Sequence, residues 1–237
     1  MNRGKLLYLE GVRGIAALIV VLSHFQFTFS PTFPDHLLIL LKEQLNLPLV
    51  PHGIHAFVIV FLDGNLAVFI FWFMSAYVIS IRLFTEGNQD YLYKSITKRY
   101  FRLMIPALGS IFLAYSLLSL GLMFNQELAI EGGLEINKWL NNLYNFDPSL
   151  FMSLKSGIWD AFFDYNELSS YNAALWTMYP ELMGSLFVFG LFAAVGNRRK
   201  RDLIYLAIFL IVVFLKTYWL ASFVLGYWYS DVNNAKD

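Results

Sequence analysis

The chain has no cysteine among its 237 residues, and only 14% of its residues are charged. The missing cysteines exclude disulfide bonds, thiol catalysis and metal sites built on thiolates. Soluble domains carry roughly 25% charged residues, whereas 58% of this chain is hydrophobic. We therefore expect an integral membrane protein. Its 17 basic and 17 acidic residues balance, so the overall charge indicates no nucleic-acid partner.

Metal ligands are also scarce. The four histidines, at positions 24, 36, 52 and 55, lack the spacing of an HExxH zinc helix. The last three lie in a loop between apolar runs, and we interpret them as surface residues. We expect no metal site.

Long apolar runs predict an all-α fold, a polytopic bundle of about five to six transmembrane helices, because a spanning helix needs about 20 apolar residues. The runs cover residues 12–30, about 65–84, about 103–124, about 175–196 and about 203–222.

Two further apolar pieces and the first run need separate interpretation. The piece at 54–62 is too short to span a bilayer. The segment 149–163 is broken by Lys155, Gly157 and Asp160, and we interpret it as interfacial or re-entrant. The first run lacks a signal-peptide cleavage site, so we expect it to stay in the membrane as an anchor.

The distribution of basic residues predicts the orientation of the bundle. Basic residues precede the first run, recur at 82–102 between the second and third runs, and form RRKR at 198–201. The loops 31–53 and 125–174 contain few lysines and no arginine. We therefore expect a cytoplasmic N-terminus and a C-terminal tail, 223–237, on the outer side.

Two ionisable residues, Arg13 and His24, interrupt the first apolar run. On a helix, their eleven-residue spacing is three turns plus roughly 20°, so they share one face about 16 Å apart. Ionisable residues at such depth face the bundle interior and indicate a site or pathway. Taken alone, Arg13 is equally a cytoplasmic anchor, and His24 is equally a structural histidine bonded to Ser23.

Four stretches, in order, resemble motifs of the membrane-bound acyltransferase family 3. They are YLEGVRGIAALIVVLSHF, FWFMSAYVIS, KRYFRLMIPAL and YNAALWTMYPELMGSLFVF. The family's first helix carries arginine and histidine separated by ten residues, and its second helix resembles FFVLSGFLI. Its second cytoplasmic loop carries Arg-x-x-Arg, and a later helix opens with Leu-Trp-x-x-x-x-Glu. The matching residues here are Arg13, His24, Phe71 to Ile79, Arg99, Arg102, Leu175, Trp176 and Glu181.

The resemblance implies an enzyme that O-acylates a cell-surface carbohydrate or a similar hydroxyl acceptor. The implied donor is cytoplasmic acyl-CoA, and we expect acetyl-CoA. The implied location is the plasma (inner) membrane, with the lipid bilayer, the donor and the acceptor as partners.

Transfer from a thioester to a hydroxyl needs a base to accept the hydroxyl proton, and a neutral imidazole suits that task near pH 7. His24 is the candidate base. Glu181 is expected at a similar depth, where its carboxylate would orient the imidazole. Alone, Glu181 is also explained as an acid that the N-terminus of a helix favours.

Cationic side chains suit the phosphates of coenzyme A. The candidates are Arg13, Arg99 and Arg102, supported by Lys98. Without the family resemblance, positive-inside bias is the preferred explanation of the basic stretch 94–102.

The remaining motif residues have weaker signals. Trp176 and Asn172 are candidate acceptor contacts, and Trp176 is alternatively an aromatic-belt residue. We interpret Ser75 and Ser185 as small residues that let helices pack closely. Ala76 stands where the family often has glycine.

Family members typically have more spans than this chain supplies. We therefore expect one acyltransferase-like domain over 1–237 that lacks C-terminal helices, completed by a partner chain or an oligomer. Two other functions stay open. One is a non-catalytic family member, and the other is a transporter or proton relay that uses Arg13, His24 and Glu181. The arginine pair favours the acyltransferase, because a proton relay does not need it.

Overall fold

A computed structural model describes residues 4–29, 63–87, 89–131, 138–196 and 201–234. The described residues form helices, turns and loops and contain no strand. The helices are α1 (Gly4–Phe29), α2 (Gly64–Glu86), α3 (Gln89–Ser119), α4 (Asn125–Glu131), α5 (Lys138–Asn142), α6 (Leu150–Lys155), α7 (Ala161–Phe163), α8 (Met178–Val195), α9 (Arg201–Phe214) and α10 (Tyr218–Asn234). A π-helical turn covers Ser156–Asp160, and 3₁₀ turns cover Glu167–Ser169 and Ala173–Thr177.

Four segments within the described residues are long and apolar enough to cross a membrane, which confirms the predicted all-α membrane fold. They are Leu7–Phe25, Gly64–Thr85, Asp90–Ser119 and Ala173–Val195. The apolar piece 54–62 and the three loop histidines lie outside the described residues.

Two compact units divide the chain. One consists of Met1–Phe71 with Gly132–Lys138, and the other of Trp72–Glu131 with Trp139–Asp237. Each unit is therefore described by itself. The first contains α1 and the beginning of α2.

In the first unit, α1 approaches the N-terminus of α2 very closely. A Cβ atom on Gly64 would lie 2.2 Å from the Ser23 hydroxyl oxygen, so a larger residue at position 64 would require the Ser23 side chain to move. The buried positions nearby include two alanines, Ala16 and Ala67. Small side chains of this kind allow helix backbones to approach within a membrane.

In the second unit, α3 begins at Gln89, well before the predicted span at about 103. The basic stretch 94–102 therefore lies within a helix, which corrects its placement in a loop. Leu92, Ile96 and Tyr100 are half-buried at helical spacing, so this part of α3 is amphipathic. Pro106 lies inside the helix without ending it.

Residues 150–163, hereafter the re-entrant segment, pack lengthwise against α3. The segment starts near the C-terminal end of α3. There the Ser149 N–H donates to the Tyr171 hydroxyl at 2.9 Å, and that hydroxyl lies 3.1 Å from the Ser149 carbonyl oxygen. The Tyr171 ring contacts Tyr115 of α3 edge to face.

The far end of the re-entrant segment lies about 22 Å further along α3, by the helical rise from Tyr115 to Tyr100. Tyr100 donates a hydrogen bond to the carbonyl of Ile158, and its ring lies 5.2 Å from that of Phe162. Halfway down, a Cβ atom on Gly157 would lie 2.4 Å from the Leu108 side chain.

The chain then returns to the end of α3 from which it came. Asn172 donates to the Ser110 hydroxyl of α3 at 3.1 Å, and Tyr171 closes the loop on Ser149. The Tyr165 hydroxyl donates to the Ala173 carbonyl at 2.8 Å within this return. These contacts bring both ends of the segment to the same end of α3, and the interfacial or re-entrant interpretation of 149–163 stays a prediction.

The predicted fifth span, 203–222, is corrected to two shorter helices. α9 ends at Phe214 and α10 begins at Tyr218. Lys216 adopts a left-handed conformation with φ of 58°, which is typical of a residue just past a helix end. The Thr217 N–H and hydroxyl both donate to the Val212 carbonyl at 3.1 Å.

α10 runs back antiparallel along α9. Arg201 Nε lies 2.9 Å from Asp231 Oδ2, and the Tyr205 hydroxyl donates to the same oxygen at 3.0 Å. Asp231 thus lies beside the residue that ends the basic stretch 198–201. The described part of the tail, 223–234, therefore returns to the end of α9 that holds Arg201, whereas the sequence analysis places the tail on the opposite side, because buried Asp231 pairs with that cation.

α10 packs against α2 and α8 through glycines. A Cβ atom on Gly184 would lie 2.2 Å from the Phe223 ring, and one on Gly226 would lie 2.3 Å from the Phe73 carbonyl oxygen. Ala76 is fully buried beside Gly226. The small residues at these positions therefore let the three helices pack closely.

Candidate functional site

An ion pair joins α3 to α8 in the second unit. Arg99 Nη2 contacts Glu181 Oε1, with the two side chains only 16% and 14% exposed. Both residues lie within segments long and apolar enough to cross a membrane. A charge pair removed from water loses hydration, so it persists only if further hydrogen bonds satisfy it.

Two serine hydroxyls provide those hydrogen bonds. Ser75 of α2 donates to Glu181 Oε1 at 2.5 Å and accepts from Arg99 Nη2 at 2.7 Å. Ser185 of α8 accepts from Arg99 Nε at 2.8 Å and donates to the Glu181 carbonyl at 2.6 Å. We call these four residues the Arg99–Glu181 cluster. It ties three helices together at one polar point.

Local sequence explains the positions of the two cluster residues on α8, Glu181 and Ser185. Pro180 suits the first turn of a helix, where an N–H has no intrahelical partner. Glu181 follows it in that first turn, where the helix dipole favours a carboxylate. Ser185 is one turn further along the same face, so its hydroxyl reaches both the Glu181 carbonyl and Arg99.

Two sequence interpretations change here. Ser75 and Ser185 were expected to serve packing, yet their hydroxyls bond to the ion pair. Arg99 was expected at a cytoplasmic loop, yet it lies ten residues into α3 and is mostly buried. The reason is electrostatic, since a buried guanidinium and a buried carboxylate stabilise each other.

His24 lies on α1, in the first unit. Its Nδ1 is 2.8 Å from the Val20 carbonyl oxygen. With the proton on Nδ1, this contact is a hydrogen bond to the carbonyl, and the lone pair lies on Nε2. The Ser23 hydroxyl donates to the same carbonyl at 3.0 Å. The expected pairing of His24 with Glu181 stays a prediction.

Arg13 shares α1 with His24, and the helix between them is continuous. Arg13 Nη1 lies 3.4 Å from Glu10 Oε1, one turn earlier. Both side chains are exposed, and such surface pairs contribute about 0–1 kcal/mol. The guanidinium is therefore held only weakly by its neighbour.

Lys98 and Arg102 flank the cluster residue Arg99 on α3. Both are exposed, whereas Arg99 points into the bundle. They are four residues apart and so lie on one side of the helix. Arg99 thus points inward, whereas Lys98 and Arg102 point outward.

Asn172 and Trp176 lie at the entrance to α8. Asn172 Oδ1 accepts from the Ala174 N–H at 3.0 Å, and its Nδ2 donates to Ser110 at 3.1 Å. These bonds start the 3₁₀ turn and tie it to α3. Trp176 is partly exposed and contacts Trp72 edge to face at 6.0 Å.

The sequence contained a signal for the hydroxyl partners, though a weak one. Ser75 and Ser185 lie within the motif stretches of α2 and α8. In the fold, the Ser75 hydroxyl bonds to Glu181 and the Ser185 hydroxyl to Arg99. Helical spacing links Ser185 to Glu181, but nothing local links Ser75 to either charge. Across the described residues, no three His, Asp or Glu side chains are grouped to bind a metal.

Comparison with known protein families gives a match over most of the chain. The model of acyltransferase family 3, described as an acyltransferase domain, matches residues 6–235. The match includes all the residues of the Arg99–Glu181 cluster, together with Arg13 and His24. No curated protein and no solved structure matches the chain.

Proposed function

Since this chain belongs to acyltransferase family 3, we propose that it moves an acyl group, most simply acetyl, from cytoplasmic acyl-CoA to an acceptor hydroxyl. The acceptor is an extracytoplasmic carbohydrate or a similar compound, and the enzyme acts in the plasma (inner) membrane. The observation that carries this proposal is the family match across residues 6–235. The membrane-spanning helices support it, because they provide a route between the two sides.

His24 acts as the general base in this proposal. The bond from Nδ1 to the Val20 carbonyl holds the ring and places the lone pair on Nε2. Nε2 accepts the proton as the acceptor oxygen forms its bond to the thioester carbonyl carbon. The carbon–sulfur bond then breaks, and the proton passes to the leaving thiolate of coenzyme A.

The donor's phosphates bind to cations that the distribution of basic residues in the sequence assigns to the cytoplasmic side. Arg13 is suited to this because its one-turn pair with Glu10, at 3.4 Å, is a weak surface ion pair that a phosphate can replace. Lys98 and Arg102 are exposed on one side of α3. Arginine forks bind phosphate bidentately, and lysine adds a point charge.

Arg99 has a different task, because it already contacts Glu181, Ser75 and Ser185. A donor group that reaches Arg99 shares it with Glu181. We assign Arg99 to fixing the Glu181 carboxylate and to binding the acyl-CoA. Trp176 is partly exposed, which supports its proposed contact with the acceptor beside Asn172.

The test is thiol release from acetyl-CoA by the full chain in liposomes, since slow transfer to water needs no acceptor. Wild-type protein is expected to release coenzyme A above the rate of protein-free liposomes. His24→Ala is expected to abolish the release, and Val21→Ala, an exposed α1 neighbour, to retain it. Absence of release from wild type would contradict the proposal and favour a non-catalytic family member.

A proton relay is the second candidate, because the Arg99–Glu181 pair is buried within spanning segments. The same liposomes distinguish the two. A relay acidifies the lumen when a pH gradient is imposed without acetyl-CoA, and Glu181→Gln abolishes that flux. Thiol release without proton flux supports the acyltransferase alone.

A further inference from the structure

The far end of the re-entrant segment carries two exposed aromatic rings side by side. Trp159 is 54% exposed and Phe163 is 42% exposed, and their ring centres lie 4.5 Å apart. The same end carries an exposed ion pair, in which Lys155 Nζ donates to Asp160 Oδ1 at 2.7 Å. We call Lys155, Trp159, Asp160 and Phe163 the tip surface. It combines flat apolar rings with one charge of each sign.

A π-helical turn, Ser156–Asp160, sets the direction of this surface. Such turns are rare and occur frequently at functional sites. Gly157 is buried in the turn and lies against the Leu108 side chain of α3. Trp159 is exposed within the same turn, so the turn separates a packed side from an outward-facing side.

Contacts with α3 assign the tip surface to one side of the membrane. Tyr100 donates a hydrogen bond to the Ile158 carbonyl, and its ring centre lies 6.5 Å from that of Phe163. Tyr100 belongs to the basic stretch 94–102, which the distribution of basic residues in the sequence assigns to the cytoplasm. The tip surface therefore shares the side that is assigned to the acyl-CoA donor.

An exposed face of α3 leads from the tip surface to the outward lysines. Around the helix axis from Tyr100, the next side chains on that face are Thr97, Phe101, Lys94 and Lys98. They follow at about 60°, 100°, 120° and 160° from Tyr100, and all four are exposed. Lys98 is also only about 3 Å from Tyr100 along the axis. A ligand on this face therefore reaches the tip surface and the lysines together.

The side chains of the tip surface match a nucleotide. A base that stacks on an aromatic side chain gains about tenfold in affinity. The Asp160 carboxylate accepts hydrogen bonds of the kind that the adenine amino group donates, and Lys155 donates to phosphate oxygens. Coenzyme A carries adenine, a ribose phosphate and a diphosphate at the end remote from its thiol. It therefore presents a flat base to the rings and negative charge to the lysines.

We propose that the tip surface binds the adenine of the acyl-CoA donor, with the base against Trp159 and Phe163 and the phosphates toward Lys155, Lys94 and Lys98. This inference rests on the proposed use of acyl-CoA and identifies where its nucleotide end binds. Exposed aromatic rings at a membrane interface also anchor a chain among lipid headgroups. That role predicts no effect of Trp159 on the affinity for coenzyme A, so binding measurements separate the two.

The experiment measures dissociation constants by calorimetric titration of the full chain in detergent. The probes are coenzyme A, adenosine 3′,5′-bisphosphate, which has the base without the pantetheine arm, and 4′-phosphopantetheine, which has the arm without the base. Trp159→Ala is expected to raise Kd about tenfold for the two adenine compounds and to leave Kd for 4′-phosphopantetheine unchanged. Trp159→Phe keeps an aromatic face and is expected to recover most of the affinity.

Phe151→Ala is the matched control, since Phe151 is an exposed aromatic residue of the same segment outside the tip surface. It is expected to leave all three constants unchanged. The inference is overturned if Trp159→Ala and Phe151→Ala behave alike, or if Trp159→Ala weakens 4′-phosphopantetheine as much as coenzyme A. A wild type that binds no coenzyme A overturns the inference and the proposed donor together. A wild type that binds it with the expected dependence on Trp159, yet releases no thiol, supports the inference and contradicts the proposed function.

Discussion

Arg99 on α3 and Glu181 on α8 are paired side chain to side chain, and Ser75 on α2 bonds to both. The pair lies 82 residues apart in sequence and within segments apolar enough to span a bilayer. Charges are rare in such segments and are retained at sites and pathways. The cluster is therefore the candidate functional site of the second unit.

Glu181→Gln is expected to destabilise the chain, because it leaves the mostly buried Arg99 cation without its counter-charge. Breaking such a pair costs about 3 kcal/mol. We also expect thiol release to fall about a hundredfold, the scale of losing a fixed charged group at a reacting centre. Thermal unfolding in detergent and the release assay measure the two effects.

The double variant Arg99→Met/Glu181→Met serves as the control for stability. Removing both charges removes the need to satisfy either, so unfolding is expected to return close to wild type. Release is expected to stay low. If the double variant regains activity, the pair has a structural role only.

Ser75→Ala is expected to lower stability by about 2 kcal/mol, because it removes a hydrogen bond from each member of a buried charge pair. Ser80→Ala is the matched control on α2, since the Ser80 hydroxyl donates only to the Ala76 carbonyl of its own helix. We expect Ser80→Ala to change kcat for thiol release little and Ser75→Ala to reduce it. Equal effects from both serines would contradict the assignment of Ser75 to the site.

Gly184→Ala is expected to destabilise the bundle by about 2 kcal/mol, the cost of overpacking. Its Cβ would lie 2.2 Å from the rigid Phe223 ring of α10. Gly190 on the same helix has no neighbour within 4 Å of such a Cβ, so Gly190→Ala is expected to stabilise by about 0.5 kcal/mol. Melting temperatures in one detergent compare the pair, and a lower value for Gly190→Ala would contradict the packing described.

The hairpin of α9 and α10 predicts that Asp202 and Asn233 lie on the same side of the membrane. The chain has no cysteine, so Asp202→Cys and Asn233→Cys each introduce a unique thiol. A membrane-impermeant maleimide is expected to label both from one side of sealed vesicles. Labelling from opposite sides would contradict the hairpin and support the sequence-based prediction of a C-terminal tail on the outer side.

Sequence alone predicted the helical class and four of the spans, because apolar length is a local property of the chain. It also located Arg99 and Glu181 as motif residues. The ends of α3 and α9 were missed for physical reasons. The amphipathic start of α3 lowers its apolar content, and the turn at Lys216 depends on a backbone conformation inside an apolar run.

The composition of the cluster was the harder part to predict. Ser75 and Arg99 are 24 residues apart, and only tertiary packing brings their helices together. The return of α10 likewise depends on a long-range pair, Asp231 with Arg201. Single-sequence patterns report helix faces, whereas the pairing of buried charges depends on which faces meet.

The most direct test of the account uses sealed liposomes with acetyl-CoA, labelled in its acetyl group, enclosed on the side of the protein's N-terminus. The account predicts that wild-type protein delivers labelled acetyl to water or to a methyl glycoside on the outside. His24→Ala is expected to deliver none, and Val21→Ala to match wild type. Label that stays inside, or that appears outside equally with His24→Ala, would contradict transfer across the membrane by this chain.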